Sequence, residues 1–203
     1  NGVPGMRILT GEEVRAMEPA ISAEVVGALY APSAAIVSPW EFCIALAETA
    51  VVNGAEVRLS AKVESIEKGE GSFLLHTTAG DVEAKYVVNA AGVDADKVHA
   101  MVGGHTFRTL PNRGEYFLLD KAQGELVNKV VFQCPNQDGK GVLVAPTVHG
   151  NLIVGPNAEG VDKADDVNNT AAGLAFVRKM SVKSVPAVNF RDSIRNFAGV
   201  RAN

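Results

Sequence analysis

The stretch "YVVNAAGVDADKV", residues 86–98, decides how the rest of the sequence is interpreted. Its opening run of β-branched and aromatic residues predicts a strand buried on both faces. The run ends in Ala90, Ala91 and Gly92 and leads directly into a segment of helical character. Residues this small leave the main chain bare, so a flat or charged ligand can lie against it.

The end of this strand allows two interpretations. A helix N-terminus offers unpaired N–H groups and partial positive charge, which favour an anion by about 0.3–1 kcal/mol at an exposed site. The position therefore suits the pyrophosphate or sugar of a dinucleotide. Equally, small residues allow a helix to pack tightly on a strand without any ligand. The glycine-rich fingerprint G-x-G-x-x-G would decide the matter, but "GEGSFL" and "GKGVLV" each lack its third glycine.

Composition excludes several classes of protein. The chain has 203 residues, 47% of them hydrophobic and 21% charged, which is ordinary for a globular protein with a real core. It lacks an apolar run of about 18 residues and a signal peptide, so we predict no membrane span and a cytoplasmic location, with peripheral membrane attachment of a longer protein left open. The net charge of −4 and the absence of a basic stripe argue against nucleic acid. Its cysteines and histidines have no metal-ligand spacing, so no metal is predicted.

The first part of the chain carries two helix-start signals. Thr10 with Glu13 forms a capping-box pattern that opens a short helix. Ser38 with Glu41 forms a second, and the helix it opens ends at Asn53-Gly54. Between them, "VVGALYAPSAAIVSP" has two apolar runs around a turn and predicts a β-hairpin.

A succession of strands follows. Strand-like runs lie at 57–59, 63–68, 73–77, 82–83 and 86–89, with turn glycines between several of them. This order resembles the second half of a nucleotide-binding α/β domain in which a β-meander replaces one crossover helix.

Beyond residue 104, where we place a domain boundary, the pattern changes. "TFRTLPNRGEYFLLD", "KVVFQC", "GVLVAPTV" and "NLIVGPNA" are strand-like runs separated by Pro, Asn and Gly, which predict an antiparallel sheet. A helix at 169–180 covers this sheet, and "AVNFRDSIRNFAGVRA" returns towards a strand.

Two of these segments carry a family resemblance. "SPWEFCIALAETAVVNGAEVRLSAKVESIEKGEG", with "YVVNAAGVDAD" further on, resembles the middle of the FAD-dependent D-amino-acid-oxidase-type superfamily, which includes glycerol-3-phosphate dehydrogenases, L-2-hydroxyglutarate oxidases and sarcosine or glycine oxidases. The likeness extends through "LPNRGEYFLLD", "VLVAPTVHGNLIVGPNAE" and "FAGVRA", and is strongest to the bacterial glycerol-3-phosphate dehydrogenase group. The superfamily's N-terminal glycine-rich motif falls outside the sequence, so we expect the chain to be an internal fragment.

The resemblance implies a fold class of α/β plus α+β. Residues 39–104 are expected to form a partial, Rossmann-like FAD-binding domain with a β-meander. Residues 1–38 and 105–203 are expected to form a discontinuous substrate-binding domain built on an antiparallel sheet. FAD is the implied cofactor.

The resemblance also implies cofactor-binding residues. Val63 takes the place of a hydrophobic residue whose backbone meets the adenine. Ala90, Ala91 and Gly92 take the place of the strand end that approaches the cofactor closely.

Two arginines are candidates for binding an anionic substrate, because a guanidinium makes paired, charge-assisted hydrogen bonds. Arg201, in "FAGVRA", resembles the superfamily's GxR arginine near the substrate's anionic group. Arg113, in "NRGEY", is next to Gly114, which leaves room for a ligand or the flavin ring. The alternative is that both are surface arginines paired with carboxylates such as Glu115.

Two further side chains are candidates for catalysis. His149, in the turn "TVHGN", can accept a proton because an imidazole titrates near neutral pH, although turn histidines are often exposed and inactive. Tyr116 alternates with Glu115 along a predicted strand, so only one of them faces the site, and we favour Tyr116.

The implied function is flavin-dependent oxidation of a small anionic hydroxy compound. Glycerol 3-phosphate is preferred, with oxidation to dihydroxyacetone phosphate by hydride transfer to FAD. An L-2-hydroxyglutarate oxidase or dehydrogenase and a non-catalytic α/β binding domain stay open as alternatives. The electron acceptor, whether quinone, oxygen or a partner subunit, is not determined, and the isolated fragment is expected to be inactive.

Overall fold

The structure is a computed structural model that describes residues 2–135 and 141–203. These residues separate into two compact units. Unit 1 comprises Asn1–Pro39, Arg113–Glu159 and Val167–Gly199, and unit 2 comprises Trp40–Asn112, Gly160–Asp166 and Val200–Asn203.

Unit 1 begins with a strand, a helix and a second strand. Strand β1 (Arg7–Thr10) leads into helix α1 (Gly11–Met17) and pairs antiparallel with β2 (Gly27–Tyr30). The predicted capping box is confirmed, because the Glu13 N–H donates to the Thr10 hydroxyl at 3.3 Å and the Thr10 N–H donates to the Glu13 carboxylate at 2.7 Å. The predicted hairpin is wrong: β2 takes its hydrogen-bond partner from β1, so the apolar residues at 34–37 have no strand to pair with in β2.

The main sheet of unit 1 is built from strands of the second half of the chain. They are β6 (Pro111–Leu119), β7 (Val131–Phe132), β8 (Leu143–Pro146), β9 (Leu152–Gly155), β10 (Glu159–Gly160) and β11 (Ser193–Ala202). Their order is β10-β6-β9-β8-β7, with β11 also on β6, and the β6–β9, β9–β8 and β8–β7 pairs are antiparallel. Helix α4 (Ala171–Ser184) packs on one face. The predicted antiparallel sheet and its covering helix are therefore confirmed.

The core of unit 1 lies between this sheet and α4. Phe117 and Leu119 of β6 point into it, and they are 4% and 0% exposed. Further buried members of the same cluster are Val127, Val142, Val144, Leu152, Val154, Val177, Val185 and Val188. Because side chains alternate along a strand, Tyr116 and Leu118 lie on the other face of the sheet, where they are only half-buried.

Unit 2 contains a helix, a meander and a second helix. Helix α2 (Pro39–Val52) ends at the predicted stop, where Gly54 has a φ of +90°. Strands β3 (Val63–Lys68), β4 (Phe73–Thr77) and β5 (Val82–Ala84) form a three-stranded antiparallel sheet, which confirms these predicted strands. Helix α3 (Ala95–Gly103) packs against β3.

Two predicted strands of unit 2 are wrong. Residues 57–59 and 86–89 are not in strands, and Leu59, Tyr86 and Val88 are 83%, 88% and 89% exposed. These runs have the composition of buried strands, but the described residues supply no neighbouring strand to pair with them. Helix α2 is also rich in apolar residues, and none of its residues is buried.

Candidate functional site

The bend that follows residues 86–88 is fastened by Asn89. Its side-chain oxygen accepts a hydrogen bond from the Ala91 N–H at 3.2 Å, and its amide donates to the Ala95 carbonyl at 2.7 Å. The Asp94 N–H donates to the Ala91 carbonyl at 3.0 Å. One side chain therefore ties the bend to the first turn of α3. Sequence reasoning missed this role, although an asparagine before small residues is a recognised turn signal.

The main chain of this bend is open. Ala90, Ala91 and Gly92 are all exposed. Gly92 has a φ of +57°, and a Cβ placed on it would have no atom within 4 Å. The conformation favours glycine, and the described residues leave bare backbone there. The bend accordingly leaves its main-chain groups open to a ligand.

Val63 lies in the same unit. It is the first residue of β3, is half-buried and pairs with Thr77, and the register shifts between Val63 and Ser65. The regular ladder is therefore interrupted directly after the first residue of β3. Val63 begins β3, which packs against α3, and the bend at 90–92 leads into α3.

Arg113 is buried in unit 1, with its side chain only 5% exposed. Its Nη2 donates to a Glu159 carboxylate oxygen at 2.9 Å, and its Nε lies 3.7 Å from the Glu115 carboxylate. The pairing with Glu115 considered from sequence is therefore present, but within the protein and not at its surface. This guanidinium is enclosed by carboxylates of its own unit.

Glu115 is fully buried and binds the N-terminus of α4. Its carboxylate accepts hydrogen bonds from the N–H and the hydroxyl of Thr170, at 2.6 and 2.9 Å, and from the Asn157 amide at 3.4 Å. The Glu115 N–H in turn donates to the Asn157 side-chain oxygen at 2.7 Å. Sequence reasoning missed Asn157 and Thr170. Thr170 carried a helix N-cap signal, whereas Asn157 carried none.

Tyr116 lies on the sheet face opposite Glu115. Its ring stacks on that of Phe197, with centroids 5.1 Å apart and planes 9° from parallel. Phe197 belongs to β11, where it alternates with the less exposed Ala198. The pair forms an aromatic surface on the sheet face that α4 does not cover.

Arg201 also belongs to β11 and is exposed. Within residues 2–135 and 141–203, its guanidinium forms no hydrogen bond or ion pair. Its charge is therefore available to an anion, in contrast to the enclosed charge of Arg113.

Gly114 and His149 have surroundings that differ from the expected ones. A Cβ on Gly114 would lie 2.8 Å from the Cβ of Pro156, so the room beside this glycine is filled by the chain itself.

His149 is exposed in the β8–β9 turn, whose Asn151 amide donates to the Leu119 carbonyl at 3.1 Å. That end of β6 is six positions from Arg113, about 20 Å along a strand. The structure does not bring His149 together with Arg113.

The described part of the chain contains no helix long and apolar enough to cross a membrane. The same residues contain no group of three or more His, Cys, Asp or Glu side chains placed to hold a metal ion.

Comparison with known proteins identifies the class of this fold. The sequence profile of the DAO family, FAD dependent oxidoreductase, matches residues 1–203. The chain belongs to this family, whose cofactor is FAD.

Individual relatives refine the comparison. The chain is 48% identical, over its whole length, to a glycerol 3-phosphate dehydrogenase from Caloramator mitchellensis, of which it covers 42%. It is 31% identical, over 77% of its length, to an Escherichia coli L-2-hydroxyglutarate dehydrogenase, of which it covers 39%. A solved structure of L-alpha-glycerophosphate oxidase from Mycoplasma pneumoniae with FAD bound has a TM-score of 0.89 and 29% identity, and the match covers all of this chain and 54% of that one. The chain thus spans about half the length of the proteins it matches.

Proposed function

We propose that the full-length polypeptide containing this chain is an FAD-dependent dehydrogenase that oxidises glycerol 3-phosphate to dihydroxyacetone phosphate. The observation that carries the proposal is the bare main chain at 90–92, in a chain whose relatives include glycerol 3-phosphate dehydrogenases and oxidases. Residues 39–104 are assigned to cofactor binding, and residues 1–38 with 105–203 to the substrate.

The geometry of unit 2 supports an assignment of cofactor-binding residues. Ala90, Ala91 and Gly92 offer exposed backbone to the flavin nucleotide, and Val63 offers backbone at the irregular start of β3 to the adenine. When bound, FAD supplies the hydride acceptor. The chain's own contribution is to hold the nucleotide and to orient the substrate carbon towards it.

The substrate's anionic group is assigned to Arg201. An exposed guanidinium that pairs with no carboxylate of the described residues can form two charge-assisted hydrogen bonds to a phosphate, whereas Arg113 is already paired with Glu115 and Glu159. Tyr116, on the uncovered sheet face, is assigned to contact the substrate. We assign no proton transfer to His149, because its turn lies at the far end of β6.

The proposal is tested on the full-length flavoprotein under anaerobic conditions. Addition of glycerol 3-phosphate is expected to bleach the flavin absorbance. Arg201→Gln is expected to weaken glycerol 3-phosphate binding by about 10- to 150-fold, the equivalent of one or two lost charged hydrogen bonds. Arg58→Gln is the matched control, since Arg58 is a surface arginine of unit 2 that pairs with Glu56 at 2.6 Å. A flavin that glycerol 3-phosphate does not reduce would exclude the proposed activity.

L-2-Hydroxyglutarate is the second candidate substrate, because a relative of the chain is an L-2-hydroxyglutarate dehydrogenase and an arginine binds carboxylates as readily as phosphates. Faster flavin reduction by L-2-hydroxyglutarate than by glycerol 3-phosphate would favour it. The same reduced protein, mixed with oxygen, a quinone or a candidate partner subunit, identifies the electron acceptor. Assignment to the cytoplasm, free or attached to the membrane surface, is part of the same proposal.

A further inference from the structure

A buried polar cluster in unit 1 has no part in the function proposed so far. It consists of Arg113, Glu115, Asn157 and Thr170, and is called here the Glu115 cluster. A buried carboxylate is strongly unfavourable unless it is hydrogen-bonded and paired with a cation. Glu115 is 0% exposed and meets this requirement with contacts from the start of β6, the 155–157 loop and the N-terminus of α4.

Two glycines lie in close contact with Glu115. A Cβ on Gly173, in the first turn of α4, would collide with the Glu115 carboxylate. On the opposite side, a Cβ on Gly155 would lie 2.7 Å from the Glu115 carbonyl oxygen and 2.8 Å from the Tyr116 ring. The side chain and main chain of Glu115 are therefore both held by close packing.

The adjacent residue on the strand is Tyr116. Because side chains alternate along β6, anchoring Glu115 on the α4 face fixes the backbone from which Tyr116 leaves on the other face. There the Tyr116 ring is held parallel to Phe197 at 5.1 Å. The contacts of Glu115 therefore hold this part of β6 from the α4 face, and the Tyr116–Phe197 pair holds it from the other face.

We propose that Glu115 is a positioning residue that orients Tyr116 towards the substrate, with Arg113 as its buried charge partner. The proposal rests on the function assigned above to the full-length protein. It gives the buried pairing of Arg113 with Glu115 and Glu159 a role in the reaction.

The test is a double-mutant cycle on the full-length flavoprotein, with the rate of flavin reduction by glycerol 3-phosphate as the readout. Tyr116→Phe is expected to slow reduction by about tenfold, the rate equivalent of one hydrogen bond. Glu115→Gln is expected to slow it by a similar factor. The double variant is expected to be no slower than either single variant, because both changes remove the same interaction.

Val177→Ala separates positioning from simple stabilisation. Val177 is fully buried in α4 and does not belong to the Glu115 cluster. We expect a lower thermal midpoint with an unchanged reduction rate. If Glu115→Gln does not fold, Arg113→Lys replaces it in the cycle with the same expectation.

The outcomes are distinct. A wild-type flavin that glycerol 3-phosphate does not reduce removes the proposed function. A reduced wild type whose single-variant effects multiply in the double variant overturns the positioning role alone. The same role is overturned if Tyr116→Phe has no effect, or if Val177→Ala slows reduction as much as Glu115→Gln.

Discussion

The two units differ in how many of their apolar residues they bury. Among the described residues, every buried hydrophobic side chain except Ile66 belongs to unit 1. Helix α2 of unit 2 is also rich in apolar residues, yet Trp40 is 79% exposed and Leu46 is 55% exposed. A helix that is hydrophobic on all sides is normally buried. Unit 1 therefore completes a core from its own residues, whereas unit 2 leaves α2 without a buried residue, and we expect the rest of the full-length polypeptide to cover this helix.

Truncating one leucine in each unit tests this difference most strongly. In the 203-residue chain, Leu119→Ala is expected to lower the free energy of unfolding by about 2–5 kcal/mol, since Leu119 is fully buried. Leu46→Ala is expected to change it by no more than about 0.5 kcal/mol, as for a surface position. Denaturant unfolding of both variants gives the comparison. Repeating it in the full-length protein sharpens the result, because Leu46 is then expected to behave as a core residue.

The glycines of unit 1 give a second test of close packing. Gly173→Ala is expected to destabilise the chain by about 1–3 kcal/mol, because its Cβ would collide with the buried Glu115 carboxylate. Gly199→Ala is the control, since a Cβ there has no neighbour within 4 Å. Equal unfolding midpoints for the two variants would contradict the dense packing described for the Glu115 cluster.

The smallest expected effect lies on the surface of the unit 2 meander. His76 contacts Asp81 at 3.0 Å and Glu67 at 3.2 Å, and the hydrogen bonds to these carboxylates raise the pKa of His76 above its ordinary value of 6.5. The raised pKa means that the contact stabilises the folded chain fully below the unfolded-state pKa and is lost as pH rises through the folded-state pKa. In His76→Gln, the free energy of unfolding is expected to fall less than in wild type as the pH rises from mildly acidic to mildly alkaline values. Urea midpoints measured across that range check this, and a pH dependence identical to wild type would refute it.

Local signals explain which parts of the fold were predictable from sequence. The bounds of α2 follow from a proline at its start and a glycine at its end, and the meander follows from short apolar strands separated by turn glycines. Strand pairing was less predictable. The partner of β2 and the missing strand at 86–89 depend on which neighbours the chain supplies, which a local pattern does not contain.

Some residues of the candidate site were likewise predictable from sequence, and others were not. The small residues at 90–92 and the exposed Arg201 were visible in the sequence as a bare strand end and a motif arginine. The Glu115 cluster was not, because its contact with Thr170 joins residues 55 positions apart. Burial of the Arg113 charge depends on that distant contact and on Glu159, so no local pattern distinguishes it from a ligand-binding arginine.

The proposed function depends most directly on contact between the bare main chain at Gly92 and the flavin nucleotide. Gly92 and Gly80 both have positive φ, +57° and +102°, and no neighbour within 4 Å of a Cβ, and both lie in unit 2. Gly80 lies further from the left-handed region that an alanine can adopt, so Gly80→Ala imposes at least as much backbone strain as Gly92→Ala. FAD affinity measured by titrating the full-length apoprotein is expected to fall about tenfold or more in Gly92→Ala, because the added methyl group would press on the bound nucleotide, and to stay within about twofold of wild type in Gly80→Ala. Equal FAD affinity in the two variants would contradict the account.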